Sequence, residues 1–286
     1  MARYKIRVLE TGYDTAFPAG AAFDFWHMGN ETAYSPFSVT LLQGEGHTIL
    51  FDCGMDVDSP FAIDKIRMEK DQNCCNPDRV LSAIGVEASE VDSVIISHCH
   101  WDHMGGLKYF PNAVFYIQRK EYEKWKAALA DEDFPLTHKM VVSPESMDAL
   151  EGLAGTGRVR FLDGDVEELF PGIAVRCASG HSFAQNMLFV EDDRNGRFAI
   201  VGDVAMRPES FTGTEAFPCF LPNLKFATGT IEEIIASYRI IMDYVGGDVS
   251  RIVAAHDGTR RERYPAEKSL LQLDVSTICD EMPSMA

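Results

Sequence analysis

Ser97-His98-Cys99-His100-Trp101-Asp102-His103-Met104-Gly105-Gly106 is the stretch on which the reading of this chain turns. Three histidines and one aspartate fall within its first seven positions. Just upstream, residues 91–97 are a short apolar run centred on Val94-Ile95-Ile96. Such a run predicts a buried strand that delivers the chain directly into His98. A strand end followed by a glycine-containing turn lets neighbouring side chains converge on one point. Imidazole suits zinc and other borderline metals, and a carboxylate adds charge and a hard oxygen ligand. Structural zinc sites normally include thiolates, so a histidine-rich cluster points to a catalytic site. Cys99 lies between two candidate ligands and points away from them if strand geometry persists.

Working outward, three further apolar strands each lead into a histidine or an aspartate. Residues 173–178 lead into Ser179-Gly180-His181. Residues 186–191 and 198–202 read as strands around Asp193-Arg194-Asn195-Gly196, and the second ends at Asp203. Residues 251–255 read as a strand ending at His256. Upstream, residues 3–9 suggest a first strand, and residues 37–42 and 48–52 flank Gly44-Glu45-Gly46 as a hairpin. Residues 113–118 and 158–161 are further strands, and residues 78–84 and 120–129 are helices. The clearest helix is residues 230–245, where Ile231, Ile234, Ile235, Tyr238, Ile241, Met242 and Val245 recur at helical spacing and are expected in the core. The mixture predicts a layered α/β or α+β fold, with helices outside two sheets as one arrangement.

With these settings quoted, the signature His98-x-His100-x-Asp102-His103 resembles the metallo-β-lactamase fold superfamily over nearly the whole chain. The resemblance implies a four-layer αβ/βα sandwich forming a single domain over residues 1–286. It implies two divalent metal ions, with zinc the expected species. The first would take His98, His100 and His181, the second Asp102, His103 and His256, and Asp203 would bridge them. His100 stands where the di-iron oxygen reductases of the superfamily typically carry Glu, which separates this chain from them. The implied chemistry is hydrolysis by a hydroxide shared between two metals, with Asp102 also passing a proton to the leaving group. Ser97, Ser182 and Cys99 are expected to pack or to support ligands, not to attack. Asp257 is either a support for the site or a turn residue.

Within that superfamily, the 98–106 motif, the stretch Thr48-Ile49-Leu50-Phe51-Asp52-Cys53-Gly54 and the compact length resemble the N-acyl-homoserine lactonases and pyridoxolactonase-like hydrolases. That implies opening of a lactone or similar cyclic ester. Trp101 stands where lactonases carry an aromatic residue beside the metals. Met206 stands three residues after Asp203, where those lactonases often use a tyrosine to bind the carbonyl, and a thioether cannot donate a hydrogen bond. Ser179 replaces a common proline. The alternatives are hydrolysis of an amide, imide or thioester, or hydrolytic dehalogenation. From another class comes a non-catalytic ligand-binding member of the fold, which the full set of seven ligand positions disfavours. Glyoxalase II-type thioesterases usually add a basic helical C-terminal region, and little chain follows His256 here.

Phe25, Trp26 and His27 lie in an aromatic stretch, residues 23–30, and join Trp101 and Met206 as expected substrate contacts. Residues 211–226 have the irregular, Phe- and Pro-containing character of a pocket wall. His138 reads as structural. The formal net charge of −18 lacks the basic patch that phosphate neutralisation needs, so no nucleic-acid partner is expected. Arg260-Arg261-Glu262-Arg263 reads as a solvated face. Seven scattered cysteines form no paired Cys-x-x-Cys sets, and Cys74-Cys75 reads as two thiols. With neither a hydrophobic signal core nor a membrane-length apolar run, the expectation is a cytoplasmic enzyme of a small molecule with no membrane partner. A homodimer is a family-level expectation.

Overall fold

The computed structural model describes residues 2–18, 32–213, 215 and 218–280. Strand β1 (Tyr4–Pro18), β2 (Thr32–Gly44) and β3 (His47–Phe51) run antiparallel to their neighbours. β4 (Ser93–Ile95), β5 (Val114–Gln118) and β6 (Val159–Leu162) then join in parallel. A second sheet is built from β7 (Val166–Phe170), β8 (Ile173–Ala178), β9 (Gln185–Asp192), β10 (Gly196–Gly202) and β11 (Ile252–Ala254). β12 (Ala266–Lys268) and β13 (Asp274–Cys279) return to the first sheet, where β13 lies against β1. Among the described residues the orders are β12-β13-β1-β2-β3-β4-β5-β6 and β11-β10-β9-β8-β7.

Side-chain alternation explains the layering. Ile49, Phe51, Ile95, Leu188, Val190, Phe198 and Ile200 pack between the sheets. Their neighbours Leu50, Val94 and Ile96 face outward under helices α2 (Pro77–Ser82), α3 (Arg119–Ala130) and α4 (Pro144–Gly155). On the other side, Met187, Phe189, Ala199 and Val201 face α5 (Ile231–Tyr244). Strands buried on both faces read as continuous apolar runs, as these do. Each fully buried aliphatic side chain contributes about 1.5–3 kcal/mol, so a one-residue slip in register would reverse a large term. The result is the αβ/βα sandwich.

α5 starts where the chemistry says it should. Thr230 caps Glu233 N–H, and the Glu233 carboxylate returns to Thr230 N–H at 2.8 Å. Two expectations are corrected. Ile231 is 41% exposed, because the buried stripe of the helix begins at Ile234. Arg260 is not on a solvated face but 3% exposed. Its guanidinium reaches inward to the carbonyls of Ala254 and Ala255, at and just beyond the end of β11, and to Ser38 Oγ. Arg263 pairs with the buried Asp257, which also accepts from Thr259 N–H and Oγ1, making Asp257 a turn-stabilising group. Helix α1 (Pro60–Glu69), α4 and the strands β7, β12 and β13 were not read from sequence. All seven cysteines are free. Among the described residues no helix is long and apolar enough to cross a membrane.

Candidate metal centre

Every candidate ligand follows the C-terminal end of a strand. β8 and β10 are both antiparallel to β9, and β11 is parallel to β10, so all three end at one edge of the second sheet. They deliver His181, Asp203 and His256 there. β4 of the first sheet delivers residues 98–103. Asn186 ties the two sheets at this point: its N–H donates to Ser97 O and its Nδ2 to Ile96 O, each at 2.8 Å. Two glycines set the approach. Gly180 has φ 128°, and a Cβ there would lie 2.5 Å from Ile234 Cγ1 of α5. Gly202 has φ 54°, and its Cβ would lie 2.6 Å from Gln185 Nε2. No side chain fits either position without displacing a neighbour.

The ligands form two groups that can each hold a metal ion: His98, His100, His181 and Asp203, and Asp102, His103 and His256. Within each group the donor atoms lie within 4.8 Å of one another, and every member is buried. His100 Nδ1 is 3.3 Å from His181 Nε2. Asp203 Oδ1 is 3.3 Å from His103 Nε2, while its Oδ2 is 3.2 Å from His256 Nε2 and 3.5 Å from His181 Nε2. Asp203 therefore stands between the groups. Asp102 Oδ2 lies 3.2 Å from His103 Nε2 and 3.4 Å from His256 Nε2.

The far nitrogens are held from behind. His103 Nδ1 donates to Asp52 Oδ2 at 2.7 Å and His256 Nδ1 to Pro36 O at 2.8 Å. Ser97 Oγ donates to Asp52 Oδ2 at 2.9 Å, which leaves its oxygen to accept from His98 Nδ1 at 2.8 Å. Each of these bonds fixes a tautomer with the Nε2 lone pair facing the centre, the arrangement metal-ligating histidines adopt. The fit to cations is direct: His98 Nε2, His103 Nε2 and Asp203 Oδ1 are buried with no hydrogen-bond partner among the described residues. Orphaned buried acceptors are costly unless a cation meets them.

Crowding sets the charge preferences of these side chains. Burial, reinforced by the neighbouring imidazoles, holds His98 and His100 well below the usual histidine range. Burial also lowers His181. These three are neutral and ready to coordinate. Burial pulls His103 and His256 down too, but Asp102 and Asp203 outweigh it and raise both, with Asp52 adding to His103. Burial pushes Asp102 up, yet His103 and then His256 bring it down to about 2.

A solvent-open cavity of about 630 Å³ reaches the centre and is lined by His100, Asp102, His181, Asp203 and His256. Trp101 and Met206 line it as well. Phe25, Trp26 and His27 lie outside the described residues. Phe226 and Asn223, from the irregular 211–226 stretch, form part of the wall, and His138 stands outside it, its Nε2 3.3 Å from Ala227 O. Cys99 points into the core beneath the site. Sequence reading missed Asp52, Pro36 and Glu121 as supports. Asp52 lay inside a quoted motif, but its partner His103 is 51 residues away.

The family profile described as the Metallo-beta-lactamase superfamily matches residues 36–279. N-acyl homoserine lactonase AiiA of Bacillus thuringiensis subsp. kurstaki is 27% identical over 173 residues, 60% of this chain and 62% of that relative, so the match spans less than two thirds of the relative. Among solved structures, an N-acyl homoserine lactone hydrolase with N-hexanoyl-L-homoserine at its catalytic metal centre superposes with TM-score 0.67 at 23% identity, covering 92% of this chain and 96% of the other. AidC, a dizinc quorum-quenching lactonase, superposes with TM-score 0.65 at 15% identity, covering 99% of both. At these identities the superpositions speak to the fold.

Proposed function

The chain belongs to the metallo-beta-lactamase superfamily, and from that premise we propose that it is a metal-dependent hydrolase that opens a lactone or a similar cyclic ester. The observation that carries this reading is the convergence of seven buried histidines and aspartates in two adjoining groups, with His98 Nε2, His103 Nε2 and Asp203 Oδ1 left without hydrogen-bond partners among the described residues. His98, His100 and His181 would hold one divalent ion, Asp102, His103 and His256 the other, and Asp203 would serve both. Zinc suits this set of imidazoles and carboxylates with no thiolate. When bound, such a pair supplies Lewis acidity and a water acidified toward neutral pH.

The chain's own groups then have distinct tasks. Asp102 lines the cavity beside the centre, where its carboxylate would take a proton and return it to the departing oxygen. Trp101 lies edge-on to Phe37 at 5.7 Å between ring centroids, and together they give the cavity a flat apolar wall beside the centre. That wall excludes water from one side of a bound ring. Met206 lines the same cavity and can only pack against substrate. Asn223 and Lys225 bring donor groups to that wall.

The relatives' names favour N-acyl homoserine lactones as the substrate class. Met206, which cannot donate to a carbonyl as a tyrosine would, favours a second reading: a small amide, imide or thioester. A panel of lactones, cyclic imides, amides and thioesters, assayed with zinc-reconstituted protein, separates the two. Lactone opening should lead the panel, and Asp102→Ala should reduce it about 100-fold or more. Hydrolysis of an imide or thioester with every lactone inert would reject the first reading.

A further inference from the structure

We propose that Glu121 is a positioning residue that sets the geometry of His98, His100 and His181 by tying together the two loops that carry them. The inference rests on the reading that this group holds a metal ion. Glu121 lies in the first turn of α3 and is 0% exposed. A carboxylate there carries a desolvation penalty of several kcal/mol unless donors surround it. Its backbone and hydroxyl donors come from outside its own helix. Cys99 N–H donates to Oε1 at 3.0 Å and Ala184 N–H to Oε2 at 2.8 Å. Ser182 Oγ donates to Oε1 at 2.5 Å. Trp125, one turn further along α3, donates from Nε1 to Ser182 Oγ at 2.9 Å, and its ring stands edge-on to His100 at 5.8 Å.

The placement of these donors gives the residue its role. Cys99 is the residue between His98 and His100, and Ser182 directly follows His181. One loop leaves β4 of the first sheet and the other leaves β8 of the second. A single buried carboxylate thus fixes, across the sandwich, the spacing of all three histidines in one group. The second group is held differently, through Asp52 behind His103 and Pro36 O behind His256. Donors and no cation surround the carboxylate, an arrangement that Gln cannot reproduce, because its NH₂ would face a backbone N–H or a hydroxyl already committed as a donor.

Selectivity between the groups is the test. Zinc affinity is measured by competition with a chromophoric chelator for the wild type and for Glu121→Gln, each also combined with His256→Ala or His181→Ala. With His256→Ala, only the first group remains, and E121Q should weaken zinc about 10- to 100-fold. With His181→Ala, the first group is already broken, and E121Q should change the remaining ion's affinity by less than about 3-fold. Trp125→Phe should weaken the first group in the same direction by a smaller factor. Asp192→Asn supplies a comparison for general destabilisation: Asp192 is 3% exposed and holds the turn at Arg194 and Asn195. It should lower the melting temperature without altering zinc affinity. Equal losses in both backgrounds, or none in either, would overturn the assignment while leaving the metal reading intact. A wild-type chain that takes up no zinc would overturn both.

Discussion

Asp52 shows how much of the centre depends on one residue outside the ligand set. Its φ of 65° places a non-glycine side chain in the left-handed region, a strain of about 1 kcal/mol or more that surrounding contacts must offset. The conformation aims one carboxylate at three groups at once: Ser97 N–H, Ser97 Oγ and His103 Nδ1. Asp52→Ala should weaken metal binding about 10- to 100-fold, read by chelator competition, and unchanged affinity would argue against this support. The sequence offered Asp52 only as part of a motif, because nothing local marks a bond across 51 residues. The candidate ligand positions were legible as strand ends, since each follows an apolar run in its own neighbourhood. Arg260 was misread for the converse reason: a run of charges looks solvated until the carbonyls of Ala254 and Ala255 are placed beneath it. Asp71, on the cavity wall, tests the electrostatics. Burial, with Glu69 and Asp14 next, pushes its carboxyl up to about 7. A raised carboxylate favours folding when protonated, and that contribution is lost as pH rises through the folded value. Asp71→Asn should therefore raise the melting temperature at about pH 8, with the gain shrinking toward about pH 4. A lower melting temperature at the higher pH would contradict this.

Elements carry the ligands to the right edge, and their ends matter more than their middles. The capping box at Thr230 fixes where α5 begins, and α5 in turn packs Ile234 against Gly180, one residue before His181. Thr230→Ala should cost about 1 kcal/mol in chemical denaturation. Gly180→Ala should cost at least about as much, because it combines a positive φ with contact on Ile234. It should also loosen zinc, which Thr230→Ala should not; equal effects on zinc would remove the link between α5 and the site. β8, β9 and β10 were readable as apolar runs, and Asp193-Arg194-Asn195-Gly196 marks the turn between the last two. β13 was not, because it is specified by pairing with β1 at the other end of the chain. The helix Pro60–Glu69 escaped because its exposed face carries Ile63 and Met68, which blurs the apolar stripe.

At the scale of the molecule, the sandwich is a device for bringing two sheets' strand ends to one point. Residues 98–103 come from one sheet, and His181, Asp203 and His256 from the other. The interior core between the sheets supplies rigidity, and the buried carboxylates Asp52 and Glu121 translate it into ligand spacing. A metal that bridges both sheets binds the folded chain alone, so its removal should lower stability; free zinc at about 100 times its dissociation constant adds about 2.7 kcal/mol. The layered fold was legible in the strand pattern, whereas the sharing of Asp203 between two groups exists only once both sheets are in place. The most direct measurement is metal content per chain after zinc reconstitution, by elemental mass spectrometry, for the wild type, His181→Ala and His256→Ala. Two ions in the wild type and one in each variant are expected; fewer than two in the wild type, or two retained in both variants, would contradict the account.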